Sequence, residues 1–149
     1  YNLFGGRLTV ALTDTFTDDF FFKNFGENRA ESWRGFRHDS GDPFLFGRRV
    51  IQYYKDLDID PQQKLIVFSD SLDLDLMIRL EEEFGRQIQV IFGWGTNLTN
   101  DVGVEPLQIV MKAVSVNGRE IVKLSNNPNK ISGSPEIVEQ YKKVFCDGN

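Results

Sequence analysis

The sequence predicts an α/β domain: parallel strands covered by helices, followed by a β-hairpin and a terminal helix. Three observations carry this. Four strand-sized apolar runs recur between residues 7 and 95, and a helical pattern fills each interval between them. Beyond the fourth run an Asn-Gly pair, the strongest short-range hairpin signal, separates two apolar stretches. Strand-helix alternation of this kind is satisfied by parallel pairing with the helices packed on the sheet.

The first strand is expected at 7–14 (RLTVALTD). The aromatic run FTDDFFFKNF puts a helix at 18–25, with its phenylalanines turned to the sheet. The second strand is expected at 33–39 (WRGFRHD). Asp42 and Pro43 then supply a cap and a first-turn residue for a helix over 44–57, where Phe46, Val50, Tyr53, Tyr54 and Leu57 make one apolar stripe. The third strand, 64–70 (KLIVFSD), leads to a helix over 72–84 in which Leu72, Leu76, Leu80 and Phe84 recur every fourth residue. The fourth strand is expected at 88–95 (IQVIFGWG). Past it the rhythm changes. Residues 107–125 (LQIVMKAVSVNGREIVKLS) read as a hairpin turning at Asn117-Gly118, a polar loop follows, and a helix over Pro135–Phe145 ends the chain.

With 149 residues, 40% hydrophobic and 13% aromatic, the chain can bury one sizeable core, so it reads as one domain or one piece of a larger domain. A formal charge of -5 excludes a general binder of the nucleic-acid backbone; any phosphate must be recognised locally. The single cysteine, Cys146, has no disulfide partner and no metal-ligand spacing around it, which fits a reducing compartment. No apolar run approaches the roughly 18 residues of a membrane span. The start, YNLFGGRLTV, lacks the charged and apolar parts of a signal peptide, so a cytoplasmic location is expected. That start also has no initiator Met and runs almost directly into a strand, as a fragment or a cleaved product would.

In parallel α/β folds, ligands bind beyond the carboxyl ends of the strands. The four expected ends carry Thr13-Asp14, Arg37-His38-Asp39, Ser69-Asp70 and Gly93-Trp94-Gly95-Thr96, all on one rim. Arg37 and Asp39 are candidates for chemistry there; the plain alternative is that they pair with each other at the surface. Residues 93–96 form a glycine-bearing turn whose backbone N–H groups could approach a phosphate, with the Thr96 hydroxyl as a further donor. A tight turn without a ligand is the alternative. His38, the sole histidine, has a carboxylate beside it but no paired serine or cysteine nucleophile, which suits a supporting role better than that of a general base.

Taken in order, ALTDTF, GFRHDSGDP, VFSDSLD, FGWGTNLTND and KLSNNPNK resemble the nicotinate phosphoribosyltransferase family over nearly the whole chain, with RHDSGDP and FGWGTNLTND the most specific blocks. The resemblance implies part of an irregular (β/α) barrel of the type II phosphoribosyltransferase kind, with residues 1–149 as the C-terminal part of that domain and the N-terminal domain and early barrel strands absent. It implies joining nicotinate to the ribose of phosphoribosyl pyrophosphate in NAD salvage, giving nicotinate mononucleotide and pyrophosphate. ATP is the implied co-substrate, hydrolysed through a transient phosphohistidine. Mg2+ accompanies the phosphates, with no metal ligand assigned in this chain. A homodimer is expected for the full-length enzyme.

The same resemblance implies roles for particular residues. Arg37 stabilises anionic groups near the pyridine and ribose, and Asp39 holds ribose hydroxyls or the leaving side. His38 and Ser40 belong to the substrate site. Ser69 and Asp70, with Gly93, Gly95 and Thr96, cradle the 5′-phosphate and ribose. Asp14 orients the phosphorylated histidine, which lies outside these residues; His38 is not at its position. The piece alone is then expected to be inactive. A nicotinamide-specific relative and a non-catalytic phosphate-sugar binding module are the alternatives, whereas a flavodoxin-like domain leaves the hairpin and the aligned blocks unexplained.

Overall fold

The computed structural model describes residues 5–98, 100, 102–107 and 109–146. Its centre is a four-stranded parallel sheet in the order β1-β2-β3-β4, formed by β1 (Val10–Leu12), β2 (Gly35–His38), β3 (Leu65–Phe68) and β4 (Gln89–Phe92). Leu12, Arg37, Val67 and Ile91 lie side by side across it. Each strand ends earlier than the apolar run that announced it. Asp14, Asp39, Ser69, Asp70 and Gly93 therefore fall just past the ladder, on the loops that leave the strands' carboxyl ends.

The first crossover holds two helices where one was expected, α1 (Asp18–Asn24) and α2 (Glu27–Ser32). Gly26 separates them in a left-handed conformation (φ 80°) that an L side chain rarely adopts. The next two crossovers carry α3 (Pro43–Asp56) and α4 (Leu74–Phe84). Asp42 caps α3 as expected, accepting from the amides of Phe44 (2.8 Å) and Leu45 (3.0 Å). Asp73 does the same for α4 through the amide of Leu76, so that helix starts two residues later than its leucine stripe.

Strand alternation sorts the sheet into two unequal faces. Phe36, His38, Ile66 and Phe68 turn toward the helices and are buried. Phe36 stacks on Tyr54 at 5.2 Å and meets Phe21, Phe22 and Phe25 edge-on, the arrangement that ring quadrupoles favour. Phe21, Phe22 and Phe25 thus pack on the sheet as their run predicted, whereas Phe20 turns to Phe16 and Phe145. Val10, Leu12 and Ile91 occupy the other face and are exposed.

Close packing on the helical side also fixes a glycine. A Cβ on Gly47 would lie 2.5 Å from the ring of Phe84, which is fully buried. Alanine gains about 1 kcal/mol in helix propensity, but overpacking a filled core costs about 1–3 kcal/mol. Gly47→Ala should therefore lower stability in chemical denaturation by about 1 kcal/mol. A gain would show that α4 can retreat at no cost.

The hairpin is much shorter than expected. Among the described residues only β5 (Ser115–Val116) and β6 (Arg119–Glu120) pair, around Asn117 and Gly118 at φ 52° and 74°. Both central residues have positive φ, the type I′ geometry that Asn-Gly favours. The apolar residues described before it are exposed. Met111 is 97% exposed and Ile109 82%, and a lone two-stranded ribbon is marginal in water. Gln108 of the expected hairpin lies outside the described residues.

The last helix, α5 (Pro135–Phe145), agrees with expectation. Phe145 stacks on Phe16 at 4.3 Å and meets Phe20 edge-on at 5.0 Å, which anchors α5 beside α1. The chain between the hairpin and α5 must then pass over the carboxyl ends of the strands. Among the described residues, no helix is long and apolar enough to cross a membrane.

Candidate active site

Polar groups from the carboxyl ends of β1, β2 and β3 converge with two lysines from the loop before α5. Asp14 follows β1 and is only 1% exposed; its Oδ2 accepts from the hydroxyls of Ser40 (2.6 Å) and Ser125 (3.0 Å). Lys123 Nζ lies 3.0 Å from Asp14 Oδ1 and 3.1 Å from Asp39 Oδ2. Lys130 Nζ donates to the Asp39 carbonyl and, at 2.6 Å, to Asp70 Oδ1. Negative and positive groups therefore alternate along the rim: Asp14, Lys123, Asp39, Lys130, Asp70.

Burial sets the electrostatics, and the neighbours then decide its outcome. Burial alone would push the Asp14 carboxyl up, but the Ser40 hydroxyl, the Lys123 ammonium and the Ser125 hydroxyl together outweigh it and hold the group below its ordinary value. Lys123 is the counterpart: desolvation would lower it, but Asp14 and Asp39 raise it further. Asp18, at the start of α1, goes the other way. Its burial dominates over bonds from Thr13 and Asn126, and the nearby Asp14 charge adds to the upward shift.

A carboxylate with a lowered folded pKa contributes stability above its unfolded pKa, and loses it as pH falls through the folded value. Asp14→Asn should therefore be less stable than the parent near pH 7, by about 1–3 kcal/mol for a buried charge partner removed. The gap should narrow in acid, below the ordinary carboxylate range. Denaturation midpoints at several pH values check this, and a pH-independent gap would contradict it.

Arg37 stands on the open face of the sheet, 48% exposed. Its Nε donates to Ser69 Oγ (2.8 Å) and its Nη2 to Asp39 Oδ1 (3.3 Å), and Ser69 in turn donates to the His38 carbonyl (2.8 Å). The expected pairing of Arg37 with Asp39 is thus present, within a larger network. His38 does not join this group. It is 1% exposed and packs on Phe46 and Phe68, with Nε2 donating to the Gly41 carbonyl at 3.2 Å. Strand alternation is the reason: Arg37 and His38 are consecutive and point to opposite faces. Burial pushes the His38 pKa down despite the charge of Asp70, which favours a neutral ring. A substrate-binding place for His38 is not supported by this geometry.

A polar cavity of about 320 Å³ opens beside the rim, lined by Ser69, Asp70, Ser71, Leu72, Gly93, Gly95, Thr96, Asn97 and Lys130. A Cβ on Gly93 would meet Ser69 Cβ at 3.0 Å, so this glycine permits the close approach of two strand ends. At Gly95 a Cβ would meet nothing within 4 Å. The turn is held by the Leu98 amide on the Gly95 carbonyl (2.9 Å) and by Asn97 Nδ2 on the Leu72 carbonyl (3.0 Å). A second cavity, about 290 Å³ between β1 and the first two helices, is lined by five aromatic rings together with Leu12, three threonines and Asn24, with Arg29 as its only charge. It lacks the convergent polar groups of a reaction site.

Among the described residues, no three His, Cys, Asp or Glu side chains are grouped to hold a metal. Asp39 and Asp70 are each engaged by a lysine, so a cation here would draw most of its ligands from a bound phosphate. The structure also brings in residues with no role expected from sequence: Lys123, Ser125, Asn126, Lys130 and Asp18. The block KLSNNPNK carries part of the resemblance as a whole, but Lys123 meets Asp39 across 84 positions and Lys130 meets Asp70 across 60. No local pattern reports such contacts. Thr99 and Asp101 of the fourth block lie outside the described residues.

Comparison with known proteins gives a consistent result. The Nicotinate phosphoribosyltransferase (NAPRTase) family matches residues 1–149. The nicotinate phosphoribosyltransferase of Ralstonia nicotianae is 45% identical over 141 residues, covering 94% of this chain and 36% of that protein. That of Sodalis glossinidius is 48% identical over 141 residues, covering 93% and 35%. Among solved structures, the nicotinate phosphoribosyltransferase of Vibrio cholerae superposes with a TM-score of 0.89 at 39% identity, over 94% of this chain and 36% of that one. The enzyme from Porphyromonas gingivalis gives 0.84 at 40%, over 94% and 38%. The chain thus spans little more than a third of the length of these relatives. Matched from residue 1 to residue 149, with its parallel sheet reproduced in the solved relatives, the chain belongs to the nicotinate phosphoribosyltransferase family.

Proposed function

We propose that the complete protein is a nicotinate phosphoribosyltransferase, which joins nicotinate to phosphoribosyl pyrophosphate to give nicotinate mononucleotide and pyrophosphate in NAD salvage. The observation that carries this reading is the charge-alternating rim opening beside a polar cavity of about 320 Å³ at the carboxyl ends of parallel strands. In the reaction the pyridine nitrogen attacks the anomeric carbon as its bond to pyrophosphate breaks. Positive charge develops on the ribose and negative charge on the leaving group, so the site needs fixed cations and carboxylates in defined places.

The 5′-phosphate would lie in the cavity against Gly95 and Thr96, with Ser69 and Asp70 beside the ribose. Arg37 faces the developing pyrophosphate charge, and Asp39 the ribose hydroxyls; Ser40 acts through Asp14. A phosphorylated histidine from the rest of the protein would be oriented by the Asp14 carboxylate, whose Oδ1 pairs with Lys123 in this structure. When bound together with the substrate phosphates, Mg2+ would neutralise part of their charge. ATP coupling, a homodimer, a cytoplasmic setting and completion of the four strands into a (β/α) barrel belong to the same reading.

Pyrophosphate release by the full-length protein tests it. Turnover should require nicotinate and phosphoribosyl pyrophosphate and should rise with ATP. Preference for nicotinamide would move the protein to the related specificity. Binding of phosphoribosyl pyrophosphate without turnover on either base would leave a phosphate-sugar binding module.

A further inference from the structure

We infer that residues 123–132 form a preassembled loop that makes the acidic strand ends receptive to a polyanion, and that Ser125 is its positioning residue, holding Lys123 and Lys130 in place without touching the ligand. This rests on the proposed function only for the identity of the anion.

The loop is closed on itself. Lys123 and Ser132 exchange backbone hydrogen bonds, the Lys123 amide to the Ser132 carbonyl (3.2 Å) and the Ser132 amide to the Lys123 carbonyl (3.0 Å). Inside it, Pro128–Lys130 makes a single 3-10 turn with Asn127 Oδ1 accepting from the Asn129 amide (3.0 Å). A loop with joined ends and internal bonds of this kind is compact before anything binds to it.

Its buried middle docks on the strand ends. The Leu124 amide donates to the Thr15 carbonyl (2.8 Å). Ser125, itself buried, donates from Oγ to Asp14 Oδ2 (3.0 Å), and the same oxygen lies 3.2 Å from Ser40 Oγ and accepts from the Asn127 amide at 3.3 Å. The backbone of Ser125 has φ 50°, a left-handed conformation uncommon for a residue with a side chain. Asn126 adds a second attachment: its Nδ2 donates to Asp18 Oδ2 (2.5 Å) and its Oδ1 accepts from the Asp18 amide (3.1 Å).

The two lysines leave this anchored middle in both directions. Without them, Asp14, Asp39 and Asp70 would be opposed by Arg37 alone, and a polyanion would meet repulsion at the rim. With them, three carboxylates face three cations. A lysine is a flexible point charge whose placement has to come from elsewhere. Here that placement comes from a buried hydroxyl bonded to the same carboxylate, Asp14, that Lys123 pairs with.

The test uses the full-length protein with pyrophosphate as probe, by titration calorimetry, together with steady-state kinetics. Ser125→Ala should weaken pyrophosphate binding and raise KM for phosphoribosyl pyrophosphate by about tenfold, the scale of one buried hydrogen bond. The nicotinate KM should stay unchanged, and kcat should fall less than about threefold. Asn126→Ala, acting through the second attachment, should give the same signature, and it carries the test if Ser125→Ala fails to fold. In a Lys123→Gln, Lys130→Gln background, Ser125→Ala should have no further effect, because a positioning residue cannot act through side chains that are gone. Full additivity in that background would overturn the inference. So would a folded Ser125→Ala protein that binds pyrophosphate like the parent, or a parent that does not bind it. Pyrophosphate binding that depends on Ser125 in a protein without nicotinate turnover would uphold the loop's role and sink the proposed function instead.

Discussion

Arg37→Ala in the full-length protein should lower kcat for nicotinate mononucleotide formation by about a hundred- to a thousandfold, the usual cost of removing one fixed charge stabiliser from a reaction site. Arg37 Nε and Nη2 are held by Ser69 and Asp39, while Nη1 has no hydrogen-bond partner among the described residues. The guanidinium is thus oriented by the protein yet keeps a donor for a ligand. Because its side chain lies on the open face of the sheet, losing it should cost little stability, and a thermal scan should separate the two effects. Arg37→Lys should recover only part of the rate, since an ammonium keeps the charge but cannot hold Ser69 and Asp39 in one plane. An alanine variant with kcat within threefold of the parent would remove Arg37 from the chemistry.

Gly95→Val should weaken phosphoribosyl pyrophosphate binding by about 10- to 100-fold, corresponding to about 1–3 kcal/mol of steric strain at a formed wall. The expectation is sharp because the fold itself does not need this glycine. A Cβ there meets no protein atom within 4 Å, so valine should leave the melting temperature nearly unchanged while its branches enter the cavity. Gly93→Val makes the contrast. Its Cβ would already sit 3.0 Å from Ser69 Cβ, and it should lower stability as well as binding. Retained affinity in folded Gly95→Val protein would place the phosphate elsewhere.

Legibility in the sequence followed the range of the forces involved. Strand order and helix caps are local or nearly so: Asp42 sits two and three residues from the amides it caps, and the apolar stripe of α3 declares its buried face. The strand ends were readable too, since parallel crossovers put Asp14, Arg37, Asp39, Ser69 and Asp70 on one side whatever the details. Three things were not. Gly26 splits the first crossover into two helices by a backbone conformation that composition does not reveal. Leu107, Ile109, Val110, Met111 and Val114 carry strand propensity, yet they are exposed and find no packed surface among the described residues. The lysines of the rim arrive from a distant loop whose placement depends on aromatic contacts of α5 with Phe16 and Phe20. The resemblance places His38 at the site beside Arg37 and Asp39, whereas the strand's two-residue period turns it to the opposite, buried face.

That period has a consequence for how sequence change can reach the chemistry. β2 is four residues long, and in it Phe36 and His38 alternate with Gly35 and Arg37. A slip of one position would drive the guanidinium into a layer of phenylalanine and tyrosine rings and turn an imidazole outward. The aromatic layer around Phe36 therefore works as a registration device for the arginine next to it in sequence. Gly35 tightens the constraint, because a Cβ at that position would fall 2.0 Å from the Leu65 carbonyl oxygen. Substitutions deep under the sheet, far from any ligand, can thus disable the candidate site by misaligning a strand whose outward residue would be chemically intact.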